Sequence, residues 1–536
     1  MIVIGAGPNG LVAANLLADR GLSVTVLEEA PDPGGAVRSG ELIEPGYTHD
    51  LFSAFYPFAR ASPHIARLEL ERWGLGWVTS DVAVAHPSRD GSCPAIALDI
   101  DETAASLDDS APGDGAAWRE LYARWQRIRS GALGTFFSPF PPLRPTLSLI
   151  RSLGPAELLR LARFSLLPAR RMGEETFADE GGTRLLTGNA LHADVSPETA
   201  LSGVYGWVLC SLAQDHGFPA VAGGSGGLTQ ALLARLRARG GQLITQQRVT
   251  QLECRGGRAV AAHTEEERYA AAEAVIADVG APQLYGELLE AVALPPSIRD
   301  DVRRFQYDNS TVKVDWTLDG PIPWSAERAR GAATIHVADS VDEMTTYSAE
   351  LACGRIPARP YLVMGQYSHF DPSRAPAGKE TAWAYTHVPQ NVRADAGGEL
   401  TGSWDEREGE RFAERIEDRV EELAPGFRSL IRGRHIFTPP RFERANRNLV
   451  GGALNGGTAQ LHQQLVFRPV AGALGRTQTP VERLFLASAS AHPGGGVHGG
   501  PGANAAAAAH AAISRRPRPV GALSRAVQRT LRHDRP

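Results

Sequence analysis

"MIVIGAGPNGLVAANLLADRGLSVTVLEEA" (residues 1–30) carries the strongest structural signal in this chain. It predicts a short apolar strand, a glycine turn, a helix with an apolar face and a second strand that ends at Glu28. The turn has the pattern G-x-G-x-x-G at Gly5, Gly7 and Gly10. The first glycine allows a tight turn, the second lets a pyrophosphate touch the backbone, and the third lets the helix pack closely on the strand. The stretch therefore predicts a dinucleotide-binding unit.

The residues around this turn extend the predicted site. A carboxylate at Glu28, the end of the second strand, can bind ribose hydroxyls and repel a 2′-phosphate. The helix offers free backbone N–H groups and the positive end of its dipole to phosphates. Pro8, Asn9 and Glu29 complete the set of expected contacts. A glycine turn without a ligand is the alternative, and the agreement of strand, helix, second strand and terminal acid disfavours it.

A second glycine pair follows in "EAPDPGGAVRSGELIEPGYTHDLFSAF" (residues 29–55). An NAD site does not need the glycine pair Gly34 and Gly35 shortly after Glu28, the acid expected to bind ribose, and it does not need Arg38 after that pair. The pair resembles the extension of the glutathione-reductase-type flavoproteins that passes beneath the FAD pyrophosphate. A type II turn at Pro33 and Gly34 is the alternative. The resemblance implies that FAD contacts Gly34, Gly35, Ala36, Arg38 and Ser53.

Composition limits the class of protein. A chain of 536 residues is too long for one ordinary core and predicts two joined domains. A net charge of −5 predicts no affinity for nucleic acid. The four cysteines form no C-x-x-C pair, so we expect neither a dithiol centre nor a metal site. There is no uninterrupted apolar run of about 18 residues and no basic leader, so we expect a cytoplasmic protein that is at most peripheral to a membrane.

Five segments in a fixed order carry a resemblance to a known family. They are "GGAVRS" (34–39), "HDLFSAF" (49–55), "GGSGGLTQALLARLRARGGQLIT" (223–245), "VDWTLDGPIPW" (314–324) and "HPGGGVHG" (492–499). Together they resemble the phytoene desaturase and phytoene dehydrogenase-related FAD-dependent oxidoreductases, over residues 1 to about 513. The resemblance implies an α/β fold, in which a Rossmann-like FAD-binding domain of the glutathione-reductase type carries an inserted α+β substrate domain on a mixed or antiparallel sheet.

The resemblance also implies a division of the chain. The predicted FAD-binding domain is discontinuous and comprises residues 1–90, 219–290 and 480–515. The predicted substrate domain comprises residues 91–218 and 291–479, with a helical lid or membrane-facing segment at 133–172 and a basic tail at 516–536. Arginines interleave with apolar residues in the 133–172 segment, a pattern that fits either a membrane surface or a lid on its own domain.

The glycines near the C-terminus have a predicted role at the flavin. In the implied fold, residues 494–496 run past the isoalloxazine ring, where any side chain would occupy the place of the ring. The helix that begins near Pro501 then directs its N-terminus at the ring. Gly495, Gly496 and Val497 are the expected contacts here, and the backbone of Val249 is expected near the adenine. The strand "LFLASAS" (484–490) lacks the usual terminal Gly-Asp, which leaves the ribityl contact unassigned.

Four residues are the candidate catalytic acids and bases. His49 and Asp50 follow the paired-glycine segment, and His492 and His498 flank the C-terminal glycines. Each has a structural alternative, because Asp50 can cap the next segment and a histidine is often a satisfied packing residue.

The predicted activity is removal of hydride from a carbon of an apolar or partly polar organic substrate. No second G-x-G-x-x-G follows a strand, so oxygen, a quinone or another acceptor would reoxidise the flavin. The alternatives are an amine oxidase-like enzyme for a polar amine, a non-catalytic FAD-binding scaffold and a redox-neutral isomerase. Trp383 and Tyr385 would support the amine oxidase if they faced the flavin, but their spacing favours a place in the core.

Overall fold

The first sheet is built from three distant parts of the chain. A computed structural model describes residues 1–514. Five strands lie in the order Leu484–Leu486, Val275–Ala277, Ile2–Ile4, Thr25–Leu27 and Gln242–Ile244. All four neighbouring pairs are parallel. The central strand is buried on both faces, as parallel strands covered by other layers require.

Helices and a small sheet cover the two faces of this first sheet. On one face lie the helices Pro8–Ala18, Gly226–Ala238 and Gly500–Ile513. On the other lies an antiparallel sheet of Val249–Arg255, Arg258–Thr264 and Arg268–Ala270. A Cβ atom added to Gly502 would lie 2.0 Å from the carbonyl oxygen of Asn9, so the last helix touches the first at backbone distance. The predicted Rossmann-like α/β class is confirmed.

The second sheet has seven strands and is mixed. Their order is Ile431–Phe437, Ser310–Leu318, Glu380–Val388, Leu362–Gln366, Ala332–Val337, Val82–Ala85 and Ala95–Ala97. The pair of Ala332–Val337 with Val82–Ala85 is parallel, and the other five pairs are antiparallel. Because Val82–Ala85 pairs here, we propose that the first piece of the dinucleotide-binding domain ends before Val82, not at residue 90.

The strand Ser310–Leu318 separates two environments. Val312, Val314, Trp316 and Leu318 point into a core that includes residues of the helix Glu406–Leu423. The alternate residues are polar and point to the opposite face. That face borders a large cavity, which residues 494–497, beyond the last strand of the first sheet, also line.

The remaining elements surround this frame. The longer helices of the predicted substrate domain are Ile100–Asp108, Asp114–Phe137, Leu143–Leu166, Glu180–Leu191, Ser202–His216 and Val341–Ala352. The shorter helices are Pro57–Ala61, Pro63–Ala66, Ala169–Glu174, Pro296–Arg303, Glu327–Arg330, Phe427–Leu430 and Pro439–Ala445. Two-stranded ladders join Ser39–Gly40 to His49–Asp50, Trp77–Val78 to Ala220–Val221 and Arg355–Ile356 to Ala394–Asp395.

The helix Leu143–Leu166 has a kink at Gly154, whose φ is 72°, directly before Pro155. Within residues 1–514, no helix is both long enough and apolar enough to cross a bilayer. The predicted basic tail, 516–536, lies outside the described residues.

Packing of the last helix on the first predicts the effect of one substitution. We expect Gly502→Ala to destabilise the fold by about 1–3 kcal/mol, because the added methyl group meets a backbone oxygen that cannot move aside. Thermal unfolding measures the change. Gly286→Ala is the matched control, since a Cβ atom there has nothing within 4 Å. Equal unfolding temperatures for the two variants would contradict the close packing of the helices.

Candidate active site

The first glycine turn is held by backbone contacts and by one acid. Gly5 has a φ of 92°, and a Cβ atom on Gly10 would lie 2.2 Å from the carbonyl oxygen of Gly5. The carboxylate of Glu28 accepts hydrogen bonds from the backbone N–H groups of Ala6 at 2.6 Å and Ala30 at 2.9 Å. Burial raises the pKa of Glu28, and these two bonds oppose the shift. The acid predicted for ribose binding is therefore fixed beside the turn.

The second glycine pair lies directly against the first turn. A Cβ atom on Gly35 would lie 3.0 Å from the Cα atom of Gly7. The N–H of Gly34 donates to the carbonyl of Ala6 at 2.9 Å, and the φ values of the pair, 123° and 56°, are ones that favour glycine. The Arg38 side chain donates to the carbonyl of Gly35 at 3.1 Å. The structure thus brings the two predicted glycine segments together.

The other predicted cofactor contacts fall into three places. Pro8 and Asn9 begin the first helix, and Glu29 is exposed near its strand end. Val249 is buried beside Ile2 and Leu27, under the first sheet. Ala36, Ser53, Gly495, Gly496 and Val497 line the large cavity.

These surfaces fit a flavin dinucleotide. The glycines of both segments carry no Cβ atom that would block a pyrophosphate, and the N–H of Gly10 donates to the carboxylate of Asp278. The bare backbone of Gly495 and Gly496 gives a flat ring a similar surface at the cavity. FAD would then be held by residues 5–10, 34–38 and 494–497, with Glu28 at its ribose.

Asp278 is a site residue that the sequence analysis did not select. It follows the strand Val275–Ala277, whose register places it beside the end of the first strand. One carboxylate oxygen accepts a hydrogen bond of 2.7 Å from the N–H of Gly10. Burial, with a smaller contribution from the charge of Glu28, raises the pKa of Asp278 to about 7. Its place in the strand order was the available signal, since carboxyl ends of parallel strands share one edge of a sheet.

The cavity has a volume of about 590 Å³ and begins at the C-terminal glycines. Its walls are mainly apolar and include Phe55, Phe58, Phe136 and Val208. Two cationic side chains, Lys313 and Arg468, also line it. No aspartate or glutamate of residues 1–514 does so.

Lys313 is a second residue that the sequence analysis missed. It lies on the polar face of the strand Ser310–Leu318 and is 2% exposed. Its ammonium group donates to the backbone carbonyl of Asp50 at 2.9 Å, forms a short ion pair with Asp315 and lies 5.9 Å from the ring centre of Trp383. Burial raises the pKa of Asp315 to about 6, and Lys313 opposes that shift. Because successive residues of a strand point to opposite faces, Lys313 lies on the face opposite to Val312 and Val314.

Asp50 lies behind the cavity wall rather than on it. Its carboxylate accepts hydrogen bonds from the N–H of Ser225 at 2.7 Å, the hydroxyl of Tyr367 at 2.8 Å and the guanidinium of Arg374 at 2.8 Å. All three groups are buried, so Asp50 forms part of a closed network. We propose a structural role for it in place of acid–base catalysis.

His49 also lies behind the wall. Its Nδ1 is 3.8 Å from the carboxylate of Asp315. Burial, followed by the charge of Lys313, lowers the pKa of His49 to about 3, so the ring is neutral. His49 therefore borders the partners of Lys313 and does not line the cavity.

The two C-terminal histidines differ in position. His492 lines the cavity and packs against Phe140, with ring centres 5.9 Å apart, and burial lowers its pKa to about 4. His498 has a partner on each ring nitrogen: the N–H of Gly500 donates to Nδ1, and Nε2 lies 3.0 Å from the carbonyl of Gly495. The neutral ring with a proton on Nε2 satisfies both bonds. His498 thus holds the glycine loop, while His492 keeps access to the cavity.

Trp383 and Tyr385 belong both to the core and to the cavity wall. Trp383 is part of a buried hydrophobic cluster against which Tyr385 packs, as their spacing favoured, and both residues also line the cavity. Their rings are nearly parallel, at 15°, with centres 6.0 Å apart. They are neighbours on one face of the strand Glu380–Val388, the face that borders the cavity.

Comparison with known proteins agrees with this geometry. A family model described as an NAD(P)-binding Rossmann-like domain matches residues 3–68. The mouse pyridine nucleotide-disulfide oxidoreductase domain-containing protein 2 is 28% identical, over 94% of this chain and 92% of that protein. The zeta-carotene-forming phytoene desaturase of Myxococcus xanthus is 25% identical, over 93% of this chain and 90% of that enzyme. Cyclohexylamine oxidase from Brevibacterium oxydans has a similar fold, with a TM-score of 0.59 and 16% identity over 96% of this chain and 98% of that one.

The raised pKa of Asp278 predicts how stability depends on pH. A carboxyl whose folded pKa lies above its unfolded value favours folding at low pH, and this contribution is lost as pH rises through about 7. We therefore expect Asp278→Asn to raise the unfolding temperature relative to wild type at pH 8, with a smaller gain at pH 5. Glu290→Gln, at an exposed carboxylate, is the control. A difference that does not vary with pH would contradict the burial of a titrating Asp278.

The fold and the homologues lead to one conclusion about the class of this protein. Pyridine nucleotide-disulfide oxidoreductase domain-containing protein 2 and phytoene desaturases align over most of its length. The predicted resemblance is thereby confirmed. The chain is similar over most of its length to the phytoene desaturase-related proteins and is an oxidoreductase.

Proposed function

We propose that this protein is an FAD-dependent dehydrogenase that removes hydride from a carbon of an apolar or partly polar small molecule. The supporting observation is the cavity itself. It extends without interruption from the backbone of Gly494, Gly495 and Gly496 to a pocket walled by aromatic and aliphatic side chains. A bound flavin supplies the hydride acceptor in such enzymes, and the protein supplies orientation and electrostatics.

The residues of the chain have three roles in this proposal. The apolar wall, including Phe55 and Val208, desolvates and orients the substrate. The helix Gly500–Ile513 directs its N-terminus toward the glycine loop, where its dipole favours negative charge. Lys313 places a hydrogen-bond donor on the cavity wall, held in place by Asp315 and the carbonyl of Asp50.

The electron acceptor remains part of the proposal. A single G-x-G-x-x-G follows a strand in this sequence, so we propose no separate nicotinamide site. Oxygen, a quinone or another external acceptor would then reoxidise the cofactor.

An amine oxidase-like activity is the second candidate, and the near-parallel rings of Trp383 and Tyr385 favour it. Two features of the cavity oppose it. The ammonium group of Lys313 already lies over the Trp383 ring, and no carboxylate among the described residues lines the cavity to attract a cationic amine. A protonated amine would instead meet the positive charges of Lys313 and Arg468, so an uncharged apolar substrate fits better.

An apolar surface near the cavity supports peripheral membrane contact. Leu461 and Leu465 line the cavity and are also exposed, as is nearby Phe467. Exposed leucines also occur on the helix Leu143–Leu166, whose other face packs on the substrate domain. We propose that the helix is a lid with an outer face toward lipid, and that apolar substrate enters here.

Flavin absorbance of the purified protein, with mass analysis of the released cofactor, tests the cofactor. Anaerobic bleaching by a panel of isoprenoid hydrocarbons, apolar alcohols and amines then tests the activity. We expect bleaching by an apolar compound and a rate on the order of tenfold or more lower in Val208→Trp, whose indole fills the pocket. Reduction by dithionite is the control and should be equal in both proteins. A colourless protein that takes up no FAD would contradict the proposal, as would bleaching by amines alone.

Vesicle binding tests the proposed lipid contact. We expect the double variant Leu461→Ser, Phe467→Ser to co-sediment less with phosphatidylglycerol vesicles than wild type, because two exposed apolar side chains are lost. Leu98→Ser is the matched control, since Leu98 is exposed but does not line the cavity. An equal loss of vesicle binding in both variants, or no binding of vesicles by wild type, would contradict a lipid contact at this surface.

A further inference from the structure

Arg468 is a buried cation whose hydrogen-bond acceptors are neutral. Its side chain lines the cavity, and the residue is 1% exposed. Nε donates to the carbonyl of Ala489 at 3.0 Å, and Nη1 donates to the carbonyl of Thr458 at 3.2 Å. Nη2 donates at 2.6 Å to the carbonyls of Asn455 and Ala489. These bonds fix the plane of the guanidinium but leave its charge without a counter-ion.

Three other buried arginines, Arg235, Arg374 and Arg419, have acidic partners. Arg374 pairs with Asp50 and Asp371, each at 2.8 Å. Within residues 1–514, no carboxylate lies within ion-pair distance of Arg468. The carboxylate of Asp308 forms no ion pair with Arg468 and accepts hydrogen bonds from the N–H groups of Leu454 and Asn455.

A buried charge without a counter-ion is costly, and the cost is reduced when a ligand supplies the opposite charge. Burial lowers the pKa of Arg468 to about 10, with Tyr205 and Asp308 opposing the shift, so the group stays positive near neutral pH. Carbonyl dipoles offset part of the cost and hold the side chain rigidly. A rigid cation in an apolar cavity has the properties of a preformed anion site.

The position of Arg468 connects it to the cofactor loop and to the substrate space. A Cβ atom on Gly494 would lie 3.4 Å from both Cζ and Nε of Arg468. Tyr205 and Gln464, which also line the cavity, belong to the substrate side. A ligand in contact with the glycine loop would therefore lie near the guanidinium.

We propose that Arg468 is the anion-recognising residue of the cavity and binds a delocalised negative charge. Two sources have this chemistry: the carboxylate of an amphipathic substrate, and the cofactor ring once it has accepted hydride. The second source rests on the proposed function, whereas the first does not require the cofactor.

The test uses the purified full chain with whatever cofactor it retains, as wild type, Arg468→Lys and Arg468→Gln. The lysine variant keeps the charge, and the glutamine variant keeps a hydrogen-bond donor without the charge. Arg415→Gln, at an arginine paired with Asp395 outside the cavity, is the matched control. The first arm measures binding of decanoate against decanol by calorimetry. The second arm measures the midpoint potential and the sulfite affinity of the bound flavin.

If the substrate is the source, wild type and Arg468→Lys prefer decanoate to decanol, and Arg468→Gln loses that preference by on the order of tenfold. If the cofactor is the source, Arg468→Gln has a lower midpoint potential than wild type and its affinity for sulfite is weaker by a similar factor. Arg468→Lys then resembles wild type in both properties. Either result supports an anion site.

The proposal is overturned if Arg468→Gln matches wild type in both arms. Should that variant fail to fold, wild type alone decides, because absence of a decanoate preference together with absence of sulfite binding also overturns it. A chain that retains no FAD would contradict the proposed function, while the decanoate arm would still report on Arg468.

Discussion

The buried ion pair between Asp50 and Arg374 joins the two halves of this protein. Asp50 comes from the segment that follows the paired glycines, and Arg374 from the part of the chain that builds the second sheet. Both side chains are fully buried, and Tyr367 and the N–H of Ser225 complete the hydrogen bonding of the carboxylate. Removing one partner of such a pair typically costs about 3–5 kcal/mol, since the other charge is left buried. The pair therefore helps to fix the segment after the paired glycines against the part of the chain that builds the second sheet.

The same network determines which atoms face the cavity. The carboxylate of Asp50 binds Arg374, and its backbone carbonyl accepts a hydrogen bond from the ammonium group of Lys313. Lys313 is then held on the wall by its ion pair with Asp315, while His49 lies behind it as a neutral ring. We propose that Asp50, through its backbone carbonyl, and His49, beside Asp315, help to position this cation.

Local motifs in the sequence predicted the dinucleotide fold well. The glycine turn, the acid at Glu28 and the second glycine pair are adjacent in sequence and meet in the structure through short-range contacts. The polar face of the strand at Lys313 was also present in the alternation, but no local rule says which polar residue meets a cavity. Arg468 had no such signal, because its partners lie in irregular segments that meet only in the folded chain. The pairing of Val82–Ala85 with the distant strand Ala332–Val337, on which the proposed earlier domain boundary rests, had no local signal either.

Charge in the cavity constrains the chemistry more than shape does. Loss of hydride leaves a carbon electron-poor and makes the acceptor electron-rich, so fixed cations oppose the first change and favour the second. Lys313 and Arg468 both line the cavity, and no described carboxylate offsets them within the lining. In the proposed reaction, charge separation would therefore be favoured when negative charge develops close to Arg468 and the substrate carbon lies against the aromatic side chains. The bare backbone of residues 494–496 beside Arg468 would allow that arrangement, because a flat acceptor ring would fit where side chains are absent.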